Sequence, residues 1–144
     1  MSLLKIAHVP PVTVEPSANV LEAVQVMAEE GVGGVAVVEQ GNLRGIFTER
    51  DVMLRVVLRE KRPRETKISE VMTAPVETIS EDTSAEDALN FMLDRHIRHL
   101  PVISNAGQFA GMLSIRNLLE HMVEDLQREL HALDQYLSND GPGG

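Results

Sequence analysis

The sequence of 144 residues contains no cysteine and no tryptophan, and only one tyrosine and three phenylalanines. The absence of cysteine excludes disulfides, thiol catalysis and cysteine-ligated zinc, and it is compatible with a reducing cytosol. With so few aromatic rings, the core must be built from Val, Leu, Ile, Met and Ala. The hydrophobic share of 43% is sufficient for an ordinary globular core.

Long apolar runs are also missing. No stretch approaches 18 apolar residues, and the N-terminal segment lacks the apolar core of a signal peptide. We therefore expect a cytoplasmic protein without a membrane segment. The net charge of −9 argues against general affinity for nucleic acid. Residues 44–67 nevertheless hold eight of the thirteen basic residues with only four acids, which fits either an anion site or a solvated helix and linker.

Two stretches share one pattern: GIFTERDV at residues 45–52 and GMLSIRNL at residues 111–118. A shift of 65 or 66 residues also aligns their surroundings, with identities that include Ala23/Ala88, Met27/Met92 and Arg50/Arg116. Solenoids need about three or more such units. Two units predict a pair related by a pseudo-twofold axis.

Each half predicts the element order β-α-β-β-α, and therefore an α/β (α+β) fold. Asn19 with Glu22, and Ser84 with Asp87, are typical of capped helix starts. The strands VAVV and LPVI are continuously apolar, which indicates burial on both faces. We expect repeats at 8–66 and 67–120 that pack their sheets against each other.

A helical apolar pattern continues beyond the second repeat. It predicts a C-terminal helix extension over 121–137, followed by a disordered tail at 138–144. The expected stripe consists of Leu119, Met122, Leu126, Leu130, Leu133 and Leu137. Such a stripe can fold back on its own domain, but we expect it to pack on a second subunit in a homodimer.

The two halves resemble cystathionine-β-synthase-type (CBS) motifs, and together they resemble the tandem pair called a Bateman module. The most specific matches are the two stretches quoted above and HIRHLPVI at residues 96–103. The resemblance covers about residues 8–120 and includes no catalytic domain. It implies regulatory binding of AMP, ADP, ATP, NAD or S-adenosylmethionine between the repeats, with no required cofactor.

The motif chemistry suits such ligands. A hydroxyl residue at a strand end lies beside the free N–H groups of the next helix, which favour phosphate, and an acid three residues later can accept hydrogen bonds from a ribose diol. The resemblance maps the ribose carboxylate to Asp51 and the hydroxyl position to Thr48 and Ser114. The alternative is that Thr48 and Asp51 only cap their helix. The complete predicted set is Thr13, Ile46, Thr48, Arg50, Asp51, Thr78, Arg98, His99, Met112, Ser114, Arg116 and Asn117.

The two predicted clefts differ. Asn117 stands where the family usually has Asp, whereas Arg98 and His99 stand where family members place cations for phosphate. We expect the cleft at Asn117 to be the better phosphate site and the cleft at Asp51 the better sugar site. Asp51 is expected at an exposed helix start, so that Asp51→Ala should spare the fold. His99 is expected to gain charge toward pH 6, unless it packs as a neutral ring.

These patterns predict a non-enzymatic regulatory module that senses energy state through an adenosine ligand and signals to an unidentified protein. The alternative is a constitutive dimerisation scaffold with vestigial clefts. An enzyme would need a catalytic group, and no Ser/His/Asp spacing or P-loop is present. His96 and His99 lie at a helix end and a strand start, so we expect no metal site.

Overall fold

The computed structural model describes residues 1–139 and contains two repeats of the order β-α-β-β-α. A 3₁₀ turn at Leu3–Lys5 precedes them. The first repeat comprises β1 (Thr13–Val14), α1 (Val20–Glu30), β2 (Gly34–Glu39), β3 (Asn42–Thr48) and α2 (Glu49–Asp51), which continues as a π-helix (Val52–Val57). A short helix, α3 (Ile68–Val71), follows and packs in the core of the first repeat. The second repeat comprises β4 (Ile79–Ser80), α4 (Ala85–Arg95), β5 (His99–Ile103), β6 (Phe109–Ser114) and α5 (Ile115–Asn139). The predicted fold class is confirmed.

The two sheets have the same topology. In each, a short first strand runs parallel to the second, and the second runs antiparallel to the third. Both antiparallel pairs have an irregularity in register, between Val37 and Val38 and between Val102 and Ile103. The middle strands are buried along most of their length, as their continuous apolar sequences predict.

The local capping signals also form. Asn19 accepts a hydrogen bond from the backbone N–H of Glu22, whose carboxylate accepts one from the Asn19 N–H, so α1 begins with a complete capping box. Ser84 accepts from the N–H of Asp87 at the start of α4. Gly31 and His96 then end the two helices in the left-handed region.

The segments that precede the repeats cross over to the opposite repeat. Leu3 is buried in the core of the second repeat, and His8 pairs with Met112 in β6. Thr73, which lies 65 residues after His8, pairs in the same way with Ile46 in β3. A Cβ at Gly45 would lie 2.8 Å from the Thr73 carbonyl oxygen, so only glycine admits this segment. The crossing segments therefore tie the two repeats together.

A third apolar cluster lies where the repeats meet. Ala36, Ile46 and Met112 form its buried centre, and Phe109 and Val76 pack around it. The repeats thus have separate cores and a shared contact built from both sheets.

The C-terminal helix differs from its sequence prediction in two respects. Met122 is half-buried against the core of the second repeat, whereas Val123 is half exposed, so Val123 replaces Met122 in the apolar stripe. The helix also continues to Asn139, so Ser138 and Asn139 belong to it and not to the predicted tail. Residues 140–144, the remainder of that tail, lie outside the described residues.

Candidate functional site

A cleft of about 970 Å³ opens where the two repeats meet. One wall comes from the second repeat and includes the end of β6 and the first turns of α5. The other wall comes from the first repeat and includes Val12, the glycines before β2 and the start of α2. The polar residues of the cleft include Arg98, His99, Ser114, Asn117 and Glu49.

The turn from β6 into α5 positions the side-chain amide of Asn117 in the cleft. Ser114 ends the strand, and its hydroxyl accepts a hydrogen bond of 3.0 Å from the backbone N–H of Asn117. The side-chain amide of Asn117 makes no hydrogen bond within the described residues, so it is available to a ligand. Met112, two residues before Ser114, supplies an apolar surface next to these polar groups.

His99 fills the gap between the repeats. A Cβ at Gly34 would lie 3.0 Å from its Cγ and 3.2 Å from the Thr48 Cγ2, so a side chain at this position would press against the ring. Burial lowers the pKa of His99; the charge of Arg98 lowers it further, and Glu49 opposes the shift. The neutral alternative is therefore favoured over the expected gain of charge toward pH 6.

Asp51, the equivalent of Asn117 in the first repeat, has different surroundings. Asp51 is buried, with 6% of its surface exposed, so the expectation of an exposed helix start is wrong. Its Oδ2 accepts hydrogen bonds from the backbone N–H and hydroxyl of Thr48, at 3.0 and 3.3 Å. Its Oδ1 accepts one of 2.8 Å from the Thr73 hydroxyl and lies 3.5 Å from Arg55 Nε. The carboxylate is therefore engaged by its own chain.

The CBS domain family matches residues 5–58 and again residues 68–124, which together make up most of the sequence. The chain belongs to the CBS-domain family. An uncharacterized protein of Methanopyrus kandleri is 30% identical over 141 residues, which cover 95% of this chain and 72% of that protein. The mitochondrial CBS domain-containing protein CBSX3 of Arabidopsis thaliana is 33% identical over 124 residues, covering 83% of this chain and 60% of that protein.

Solved CBS pairs share the fold. A protein with CBS domains from Burkholderia ambifaria superposes with a TM-score of 0.81 at 31% identity and covers 87% of this chain and 96% of its own. Two structures at 21% identity contain adenosine ligands. The first is CBSX2 in complex with AMP, with a TM-score of 0.71; the match covers 85% of this chain and 96% of that one. The second is MJ0100 with 5′-methylthioadenosine and S-adenosylmethionine, with a TM-score of 0.77; the match covers 87% of this chain and 98% of that one. At this identity the likeness concerns the fold.

The CBS pair brings half of the predicted ligand residues together. The cleft contains six of the seven from the second repeat, namely Arg98, His99, Met112, Ser114, Arg116 and Asn117. Arg116 points to Glu120, with Nε 3.0 Å from Oε1, and is largely exposed.

The other six predicted residues lie outside this cleft. Thr48 and Asp51 form the capping box of α2. Ile46 is buried in the cluster between the repeats. Thr13, Thr78 and Arg50 are exposed on the surface.

Several cleft residues were missed by the sequence patterns. His8 enters through the crossing N-terminal segment, and Val24, Glu49 and Val52 come from the helices of the first repeat. His8 and its equivalent Thr73 both lie on segments that cross to the opposite repeat, and no local pattern in the sequence marks that crossing. Glu49 adjoins the motif residue Thr48, but only the fold shows that it faces the opposite repeat.

Every helix within residues 1–139 is too short or too polar to span a membrane. No group of three or more His, Cys, Asp or Glu side chains within this range could hold a metal ion.

Proposed function

We propose that this CBS pair is a non-enzymatic regulatory module that binds an adenosine-containing ligand in the cleft at Asn117. The observation that supports the proposal most directly is the open cleft with an unengaged amide beside an apolar surface and a cationic side chain. The AMP and S-adenosylmethionine complexes of CBSX2 and MJ0100 point to the same class of ligand.

Each part of the ligand has a suitable group in the cleft. Met112 and Val12 offer apolar contact to a flat base, and the Asn117 amide can hydrogen-bond a ribose hydroxyl. Arg98 offers a permanent positive charge to phosphate. The carboxylates of Glu49 and Glu120 also line the cleft, which favours a ligand with few phosphates over ATP.

Thermal melting and titration calorimetry test this proposal. The ligands are adenosine, AMP, ADP, ATP, NAD and S-adenosylmethionine, and the variants are Asn117→Ala and Arg98→Ala. A ligand at 100 times its dissociation constant should stabilise the protein by about 2.7 kcal/mol. Arg44→Ala is the matched control, because Arg44 is exposed and lies outside the cleft. Equal affinity of wild type and Asn117→Ala for every ligand would refute this site.

The proposed module is also a homodimer that transmits the ligand state to another protein. The large apolar side chains of α5 between Leu119 and Leu137, other than Met122, are exposed in the single chain, and burial of such a stripe favours association. A chain that ends at Asp125 retains Leu118 and Met122, which pack on the core of the second repeat. In sedimentation it should be monomeric where the full chain is dimeric.

One observation favours the second candidate, a constitutive scaffold. The carboxylate that would hold ribose in the first repeat is already engaged by Thr48, Thr73 and Arg55. A scaffold predicts dimerisation without any ligand-induced rise in melting temperature across the whole panel. A regulatory module predicts such a rise for at least one adenosine ligand.

A further inference from the structure

A cluster of cations lies on the loop between the π-helix of the first repeat and α3. Residues 59–67 form this basic loop and hold five basic and two acidic residues, although the whole chain carries a net charge of −9. All five cations are exposed: Arg59, Lys61, Arg62, Arg64 and Lys67. Arg62 pairs with Glu65 at 3.6 Å, and the other four form no ion pair within residues 1–139. The acidic side chains of the chain outnumber the basic ones, yet they leave this cluster largely unneutralised.

The backbone of the basic loop is fixed against the start of α1. The N–H of Val20, in the first turn of α1, donates a hydrogen bond of 2.9 Å to the Thr66 carbonyl oxygen. The N–H of Leu21 donates one of 3.2 Å to the Pro63 carbonyl oxygen. Thr66 is buried, and its hydroxyl donates to the Arg62 carbonyl oxygen at 2.8 Å. The loop therefore presents its cations on an ordered backbone, which reduces the entropy lost when a partner binds.

The turn that begins the basic loop has a strained backbone. Glu60 has a φ of 54°, in the left-handed region that usually holds glycine at a helix end. A residue with a side chain costs about 1 kcal/mol or more there. The N–H of Glu60 donates to the Val57 carbonyl oxygen at 3.0 Å, and the N–H of Lys61 donates to that of Val56 at 2.9 Å, so two hydrogen bonds hold the turn. Strain of this kind is concentrated at functional sites.

The basic loop fits a short acidic peptide segment better than a nucleic acid. Three of its five cations are arginines, whose planar guanidinium group pairs with both oxygens of a carboxylate. A nucleic acid needs a longer row of cations along its continuous phosphate backbone. Glu22 and Glu70 border the loop in the first turns of α1 and α3, and further carboxylates lie within it. These acids repel an extended polyanion, whereas a peptide can space its carboxylates between them.

We infer that the basic loop recognises an acidic segment of the protein to which this module signals. The inference rests on the proposed function, because it specifies the chemistry of that partner. The surface is separate from the ligand cleft, since no residue of the loop lines that cleft. Carboxylates of the partner pair with the arginines of the loop, and the contact weakens as the salt concentration rises because the side chains are exposed.

Peptide titration tests the inference. The probe is a short fluorescent peptide rich in Glu, and its control peptide has Gln at the same positions. At low salt, the wild-type chain should bind the Glu peptide and not the Gln peptide. The variant Lys61→Glu with Arg64→Glu should bind the Glu peptide roughly tenfold more weakly, because two attractive contacts become repulsive. Fluorescence anisotropy measures each affinity.

The matched control is Lys5→Glu with Arg44→Glu, which changes the net charge equally at exposed sites outside the loop. It should bind the Glu peptide as tightly as wild type. Equal weakening in this control, or no binding by wild type, would overturn the inference. Both variants should keep the melting temperature and the oligomeric state of wild type. Dissociation of the loop variant alone in sedimentation would assign the loop to a contact between copies and would also overturn the inference.

A single-stranded oligonucleotide with the same charge as the Glu peptide decides between the two classes of polyanion. The peptide should bind more tightly, and tighter binding of the oligonucleotide would overturn the inference. The adenosine panel keeps the two proposals distinguishable. Peptide binding without any ligand-induced rise in melting temperature would refute the regulatory function and leave the loop as a docking surface. A ligand-induced rise without peptide binding would refute only the inference about the loop.

Discussion

The two repeats have the same backbone plan, but they use the same motif position in opposite ways. In the first, Asp51 is buried and receives hydrogen bonds from Thr48 and Thr73. In the second, Asn117 makes no side-chain hydrogen bond within the described residues and lines an open cleft. The carboxylate therefore has partners within the fold, whereas the amide has none among the described residues.

A second difference arises directly from the pseudo-symmetry. Gly34 and His99 occupy equivalent positions, and they face each other where the repeats meet. Only one of the two positions can hold a large side chain, because a Cβ on Gly34 would lie 3.0 Å from the His99 ring. Packing between the repeats thus imposes an asymmetry at this position.

The largest expected effect is on stability. Asp51→Ala should destabilise the protein by about 2–3 kcal/mol, because the Thr48 N–H, the Thr73 hydroxyl and the Arg55 guanidinium lose a buried charged acceptor. Asn117→Ala should cost less than about 1 kcal/mol, since no internal bond is lost. Urea denaturation of the two variants measures this difference. Equal losses of unfolding free energy in the two variants would show that the two motif positions contribute equally to stability.

The element order and helix starts could be predicted because their signals are local. The capping residues Asn19 and Ser84 lie within three residues of their partners, and strand burial follows from composition. The burial of Asp51 could not be predicted, since its partner Thr73 is 22 residues away and arrives on a crossing segment. Whether Met122 or Val123 belongs to the exposed stripe depends on the rotation of α5 about its axis, and the sequence pattern leaves that rotation open.

The contact between Gly34 and His99 gives the next largest effect. Gly34→Ala should destabilise the protein by about 1–2 kcal/mol, because the new methyl group overpacks against the ring. His99→Ala in the same chain should remove most of that cost. A double-mutant cycle on thermal stability measures the coupling. Additive losses would mean that the Thr48 methyl group, at 3.2 Å, causes the strain instead.

A smaller effect, on ligand affinity, is expected when Asn117 is replaced by the aspartate that the first repeat has at the equivalent position. Asn117→Asp should tighten adenosine binding by about 1 kcal/mol, roughly fivefold, because a charged acceptor strengthens the hydrogen bond to ribose. Asn90→Asp, on the exposed face of α4, controls for the added charge. Calorimetry with adenosine avoids any contribution from phosphate. A weaker complex would show that Glu49 and Glu120 repel the new charge.

The smallest expected effect concerns pH. Burial lowers the pKa of His99 below its ordinary value, with Arg98 acting in the same direction and Glu49 against it. Because the unfolded chain then binds a proton more readily than the folded chain, the stability associated with neutral His99 is present above about pH 6.5 and is lost as the pH falls below it. His99→Gln has no such titration, so the stability of wild type relative to His99→Gln should decline from pH 7 toward pH 5.5.

The same pair of proteins shows whether phosphate approaches His99. A phosphate near the ring would favour its charged form, so bound AMP should weaken or reverse this decline, while adenosine should leave it unchanged. Denaturation curves in saturating AMP and in saturating adenosine make the comparison. Identical pH dependence with both ligands would place the phosphate away from His99 and leave Arg98 as its cationic contact. A wild-type curve parallel to that of His99→Gln without ligand would contradict the lowered pKa itself.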